Sequence, residues 1–184
     1  MNQVVVDPDA RRAIVGGGAT MSHLDRACQP DGLATTGGRV STTGVGGFTL
    51  GGGTGWFDRT FGLACDNLLE AEVVAADGRV VRAAEDENPD LFWALHGGGG
   101  NFGVATSLTL RLHPLATTTL GMLLFTPERG PDVAQVYRDV LLGGPDELGG
   151  GFIYLTGPEG EDFVPEHLVN QLTLAVVVTY AGPE

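Results

Sequence analysis

The chain carries 184 residues with 23 acidic against 10 basic side chains, a net charge of −13, and 42% apolar residues. Every basic residue is arginine, which disfavours nucleic acid and anionic membrane surfaces as partners and removes the lysine that a phosphate-gripping P-loop requires. No run of about 18 apolar residues marks a membrane span, and the first residues lack the order of a signal peptide, so a cytoplasmic protein is the expectation.

QVVV (3–6) and RRAIV (11–15), joined by Asp7-Pro8-Asp9, read as a β-hairpin. Met21, Leu24 and Cys28 then recur at helical spacing behind an N-cap at Thr20, and Gln29-Pro30-Asp31-Gly32 stops that helix. The stretch GGRVSTTGVGGFTLGGGTG (37–55) places nine glycines in nineteen positions, with Arg39 as its only charge. Residues 68–84 have β-rich runs on both sides of Asp77-Gly78, a dipeptide suited to a tight hairpin turn. Asn88 as cap, with Pro89 in the first turn, opens a helix whose face is Leu91, Phe92 and Leu95 and which residues 97–100 end.

A strand is predicted over 104–113 and another near 120–125. A helix follows Gly130-Pro131 with Val133, Val136, Tyr137, Val140 and Leu141 on one face, and strands return at 151–155 and 172–180. Helices interleaved with hairpins predict an α+β fold with helices laid on largely antiparallel sheets, and argue against a doubly wound parallel sheet. Composition shifts near Pro114, which sets the expected domains at 1–114 and 115–184.

A glycine-dense loop beside short hydroxyl side chains lets backbone N–H groups approach a polar or anionic ligand that any Cβ would hold off. A single loop glycine more often serves a turn or close packing, but nine in nineteen, followed by HGGGGNFG (96–103), favour the ligand. Gly98, Gly100 and Gly103 stand at the spacing of a dinucleotide fingerprint, yet a helix precedes them and a strand follows, the reverse of a Rossmann unit. Cys28 and Cys65 lack metal-ligand spacing and make no disulfide framework, so both are expected reduced and no metal is expected. Trp56, Phe92 and Trp93 read as core aromatics, and His96 as a helix C-terminal residue answering the dipole.

Taken in order, VGGGAT, GGRVSTTGVGGFTLGGGTGW, FGLACDNLLEAEVVAADGRVV and DLFWALHGGGGNFGVATSLTLRLHP resemble the FAD-binding PCMH-type domain of the berberine bridge enzyme-like FAD-linked oxidases, in the vanillyl-alcohol oxidase superfamily. The resemblance runs from about Ala13 to Pro114 and continues, with weaker motifs, into what looks like the opening of that family's α+β substrate domain. It implies FAD as cofactor, with Ser41, Thr42, Thr43, Gly44, Gly47, Gly52, Gly53, Thr54 and Gly55 along its ribityl and pyrophosphate groups. Gly103 and Val104 are implied to line the flavin as well. Asn67 is either a flavin contact or a residue that closes its loop by bonding backbone. Val40 stands where some relatives carry a flavin-linking cysteine, which excludes a thioether there, and His96 stands where relatives usually have arginine.

The family's activity implies hydride transfer from a small alcohol, sugar or amine substrate to flavin, and then electron transfer to oxygen. The family's N-terminal histidine loop and its C-terminal catalytic segment have no counterpart in these residues. The expectation is therefore either the middle of such an oxidase or a non-catalytic piece with weak or no flavin binding. Each terminus is expected inside a sheet, and self-association is expected through the open edge of the second one.

Overall fold

The structure is a computed structural model and describes residues 1–182. Two compact units meet between Thr117 and Thr118. The first contains β1 (Val4–Asp7), β2 (Arg12–Gly16), α1 (Met21–Cys28), β3 (Leu33–Ala34), α2 (Val45–Leu50), α3 (Asp58–Phe61), β4 (Leu68–Val74), β5 (Val80–Ala84), α4 (Pro89–Ala94), β6 (Val104–Arg111) and β7 (His113–Pro114). Five strands form one sheet in the order β1-β2-β6-β4-β5, and β3 pairs with β7 separately. All of these pairings are antiparallel, as the hairpin-rich order predicts.

Strand alternation decides which face of the large sheet is buried. Ala13, Val15, Ala71, Val73, Leu108 and Leu110 point to one side and are at most 2% exposed, whereas Arg12, Ile14, Glu72 and Arg111 point to the other and are exposed. Onto the buried face α1 brings Met21, Leu24 and Cys28, α2 brings Val45 and Leu50, and α4 brings Phe92 and Leu95. The alanines at 13, 71 and 83 leave room for the helices to lie close to the strands. Gly78 turns the second hairpin at φ +81°, the left-handed conformation that its Asp-Gly sequence predicts.

Two local expectations are corrected. Trp93 is 80% exposed instead of lying in the core, because on a helix whose buried stripe holds Phe92 and Leu95 the position between them turns outward. Asn88 adopts φ 50°, and its Nδ2 donates to the Arg82 carbonyl at 2.6 Å, so its side chain ties the helix to β5 and does not cap α4.

The second unit contains β8 (Thr119–Phe125), α5 (Gly130–Gly143), β9 (Leu148–Thr156) and β10 (Leu172–Tyr180), with the sheet order β8-β10-β9 and both pairings antiparallel. Central strand β10 is covered on both faces: Leu174, Ala175, Val176 and Val177 are all at most 7% exposed. Helix α5 begins at Gly130-Pro131 as predicted. Its apolar stripe is only partly covered, since Val136 and Val140 remain more than half exposed.

Candidate cofactor site

Backbone hydrogen bonds strap the glycine-rich stretch to the start of α1. The Ser41 carbonyl accepts from Ser22 N–H and the Thr43 carbonyl from Met21 N–H, both at 2.9 Å, while Val45 N–H donates to the Ala19 carbonyl at 2.8 Å. Thr20 faces Gly44 in an isolated bridge, and its N–H donates to His23 Nδ1 at 3.1 Å. Further along, the carbonyls of Gly52 and Gly53 accept from Cys65 and Ala64 N–H, each at 2.9 Å. Gly97 N–H donates to the Leu50 carbonyl at 3.1 Å, so the second glycine cluster lies against the first.

The glycines of this strip are glycine for different reasons. A Cβ on Gly53 would lie 2.6 Å from the Ala64 methyl and 2.7 Å from the Phe48 ring, at φ +76°. One on Gly55 would strike the Gly37 carbonyl, one on Gly46 would meet the Gly17 carbonyl, and one on Gly103, at φ +145°, would strike the Val74 carbonyl. These positions are bare because the chain itself fills the space. Gly52 needs its freedom for φ +102°, although nothing stands near it. Gly44 and Gly47 differ from all of these: both are exposed, neither has a left-handed φ, and a Cβ on either meets nothing within 4 Å. They stand at the first turn of α2, where the Gly46 and Gly47 amides precede the first intrahelical bond, from Phe48 N–H to the Gly44 carbonyl at 3.1 Å.

Ser41, Thr42 and Thr54 are exposed on the same stretch, and Thr43 is half-buried. Val104 is 63% exposed at the start of β6. The residues therefore fit the flavin that the sequence implies: a strip of open backbone and short hydroxyls, with bare positions that the protein does not occupy. Asn67 bonds the backbone of its own loop. It is 1% exposed, its Nδ2 donates to the carbonyls of Phe61 and Leu63 at 2.9 Å each, and its Oδ1 lies 2.7 Å from His113 Nε2. With the amide spent on carbonyls, Oδ1 is the acceptor and His113 Nε2 carries the proton.

Three residues shape the strip without having been singled out for it in the sequence. Arg39 donates from Nη2 to the Gly55 carbonyl at 3.0 Å and lies 4.7 Å over the Trp56 ring. Asp58 Oδ1 accepts from Gly55 N–H at 2.7 Å, and burial raises its carboxyl against the lowering effect of that bond and of Arg39. Thr35, two residues before Gly37, holds the one buried side-chain polar atom without a partner among the described residues. The lone charge at Arg39 is the only sequence signal that could have found any of them. His96 Nδ1 lies 2.7 Å from the Phe92 carbonyl, consistent with a residue that closes the last turn of α4. Cys28 and Cys65 are both free and buried, with burial pushing the Cys28 thiol up to about 11.

An antiparallel α+β unit presenting open glycine backbone in this way is a flavin-binding domain, and relatives agree. A family model described as the FAD binding domain matches residues 1–84. The FAD-linked oxidoreductase pgmH of Aspergillus terreus is 37% identical over 188 residues, covering 100% of this chain and 36% of its own length. Among solved structures, 6-hydroxy-D-nicotine oxidase from Arthrobacter nicotinovorans superposes with a TM-score of 0.83 at 29% identity over 99% of this chain and 39% of its own. A BBE-like 1 variant from Physcomitrella patens gives 0.84 at 28% identity, covering 100% and 37%. The chain carries an FAD-binding domain and is similar to FAD-linked oxidoreductases, berberine bridge enzyme-like proteins among them, and FAD is the cofactor this likeness supports. It spans somewhat more than a third of the length of these relatives. No helix among the described residues is long and apolar enough to cross a membrane.

Proposed function

We propose that this chain is the flavin-holding part of an oxidase, residues 1–114 forming the C-terminal portion of its FAD-binding domain and residues 115–184 the beginning of a substrate domain. The cytoplasm is the proposed location and a small alcohol, sugar or amine the proposed substrate. FAD, when bound, would supply the two-electron acceptor for hydride from such a substrate, with oxygen as the final electron acceptor. The chain's own residues bind and orient. Ser41, Thr42, Thr43 and Thr54 offer short hydroxyl donors, the strip at Gly44, Gly47 and Gly52 offers backbone at close range, and Gly103 sets the start of β6 so that Val104 projects from it.

The observation that carries this reading is Gly44 and Gly47, exposed and bare with no neighbour in the protein to require it. Titration of the purified chain with FAD, followed by the flavin absorption spectrum, tests it: saturable binding with a perturbed spectrum is expected. Val40 offers no thiol, so the flavin should pass into the supernatant when the protein is precipitated with acid. A chain that leaves the FAD spectrum unchanged at every concentration would refute the assignment.

A further inference from the structure

We propose that the basic pocket at the end of β2 and β6, where Arg11, Arg12, Arg111 and His113 converge, binds a small multivalent oxyanion of the phosphate class. The pocket has a volume of about 320 Å³, and Leu69 forms its apolar wall. It is a concentration of positive charge in a chain of net charge −13 that has only ten basic residues. Four of the other arginines are matched to carboxylates: Arg79 to Asp77, Arg82 to Glu70, Arg129 to Asp132 and Arg138 to Asp139. Arg11, Arg12 and Arg111 hold no carboxylate among the described residues.

Their placement runs against stability unless something negative joins them. Arg12 and Arg111 are direct partners across the antiparallel β2/β6 pair, so their side chains leave the same face side by side. Like charges directly opposite each other destabilise a sheet. Arg11 closes the first turn at φ 50°, a conformation that favours glycine or asparagine, and its carbonyl accepts Leu112 N–H at 2.8 Å, which fixes it against the end of β6. A strained position holding a charged residue is a pointer to function. The residue directly across from Arg12 on β1 is Asp7. Its Oδ1 accepts Ala10 N–H at 2.9 Å, and it makes no ion pair with the arginine.

Guanidinium forks bind tetrahedral oxyanions in bidentate fashion, and two or three of them can share one phosphate. His113 already feels the cluster: burial lowers its pKa first, and Arg111 and Arg11 lower it further. Its Nε2 proton is committed to Asn67, which leaves Nδ1 to take up a proton when an anion neutralises the arginines. Along β6 the pocket stands away from Val104, which lies seven residues from Arg111, about 23 Å in an extended strand.

Calorimetric titration of inorganic pyrophosphate into the 184-residue chain at near-physiological salt tests this, together with an NMR titration of the His113 ring. One site per chain is expected, weakened tenfold or more by Arg12→Gln and by Arg111→Gln and unchanged by Arg138→Gln, with the His113 pKa rising when pyrophosphate is bound. Absence of saturable binding, equal weakening by Arg138→Gln, or equal affinity for citrate would overturn the proposal. So would displacement of pyrophosphate by FAD in one-to-one proportion, which would make the pocket part of the flavin site.

Discussion

Arg39 Nη2 donates to the Gly55 carbonyl at 3.0 Å, so the only charged residue of the glycine-rich stretch holds its last residue in place. Asp58 takes the Gly55 N–H at 2.7 Å, and the Trp56 ring lies beneath the guanidinium. A segment with nine glycines loses much conformational freedom on ordering, and these contacts offset part of that loss. Arg39→Ala is expected to lower stability by about 1 kcal/mol, from one charge-assisted hydrogen bond and one exposed cation–π contact, and to weaken FAD binding several-fold. Urea unfolding and flavin fluorescence titration measure the two effects. Unchanged FAD affinity would show that the strip is ordered without this tie.

Gly44 and Gly53 separate ligand-driven from packing-driven glycine. A Cβ at 44 meets nothing within 4 Å, so Gly44→Val is expected to fold and to lose FAD. Valine at 53 must adopt φ +76° against Phe48 and Ala64, which should cost about 3 kcal/mol through backbone strain and overpacking. Thermal melts of both variants alongside FAD titrations check the contrast. Equal destabilisation by the two would mean that the strip is bare only for packing.

The hairpins, the helix boundaries and the antiparallel α+β order were legible in the sequence because each is written locally. Asp77-Gly78 states a turn, Thr20 and Pro89 state helix starts, and the alternation through Ala71 and Val73 states a buried face. The flavin strip was legible as composition: too much glycine for turns alone. Which glycines face a ligand was not legible, because Gly44 and Gly53 look alike until Phe48 and Ala64 are placed against one of them. Trp93 was misplaced because aromatic character carries no direction on a six-residue helix. The convergence of Arg11 and Arg12 with Arg111 joins residues about a hundred positions apart, and only the β2/β6 register reveals it.

Asn67 and His113 predict a dependence of stability on pH. Removing the Asn67 side chain leaves the carbonyls of Phe61 and Leu63 and the His113 Nε2–H without their partner, so Asn67→Ala should cost about 3 kcal/mol. His113 titrates below the ordinary 6.5 in the folded chain because of burial, Arg111 and Arg11. The unfolded chain therefore binds the proton first as pH falls. The contribution of neutral His113 is fully present above pH 6.5 and is lost as pH drops from there through the folded pKa. Denaturation curves between pH 7.5 and 5 should show a decline that His113→Gln reduces. An identical decline in that variant would assign it to other groups.

Cys28 and Cys65 should be unreactive in the folded chain. Burial raises both thiols, aided by Asp25 and Asp31 at Cys28 and by Asp66 at Cys65, so little thiolate forms at neutral pH. Titration with a chromogenic disulfide is expected to release little colour from native protein and two equivalents per chain after denaturation. Rapid reaction of one thiol before unfolding would show that its shelter opens under native conditions.

Self-association should run through the second unit. Its sheet has β8 and β9 as edge strands, and both carry exposed apolar side chains: Leu120, Met122 and Leu123 on one, Phe152, Ile153 and Tyr154 on the other. An edge strand offers unpaired N–H and C=O groups, and β8 and β9 carry none of the lysines, charges or prolines that keep such edges apart in other proteins. Their apolar side chains add a surface that water disfavours, together with the half-open stripe of α5. The 184-residue chain is therefore expected to show a concentration-dependent mass by sedimentation. Ile153→Lys and Met122→Lys each place a charge on an edge, at positions 55% and 46% exposed where lysine can reach water without disturbing the buried β10. Both should shift the equilibrium toward monomer without lowering the melting temperature, whereas Val136→Lys tests the helix face instead. If only the helix-face variant dissociates the chain, apolar contact and not strand pairing drives the association; if the native chain stays monomeric up to about 100 μM, within the range where exposed edges lead to association, these edges are protected by their own twist.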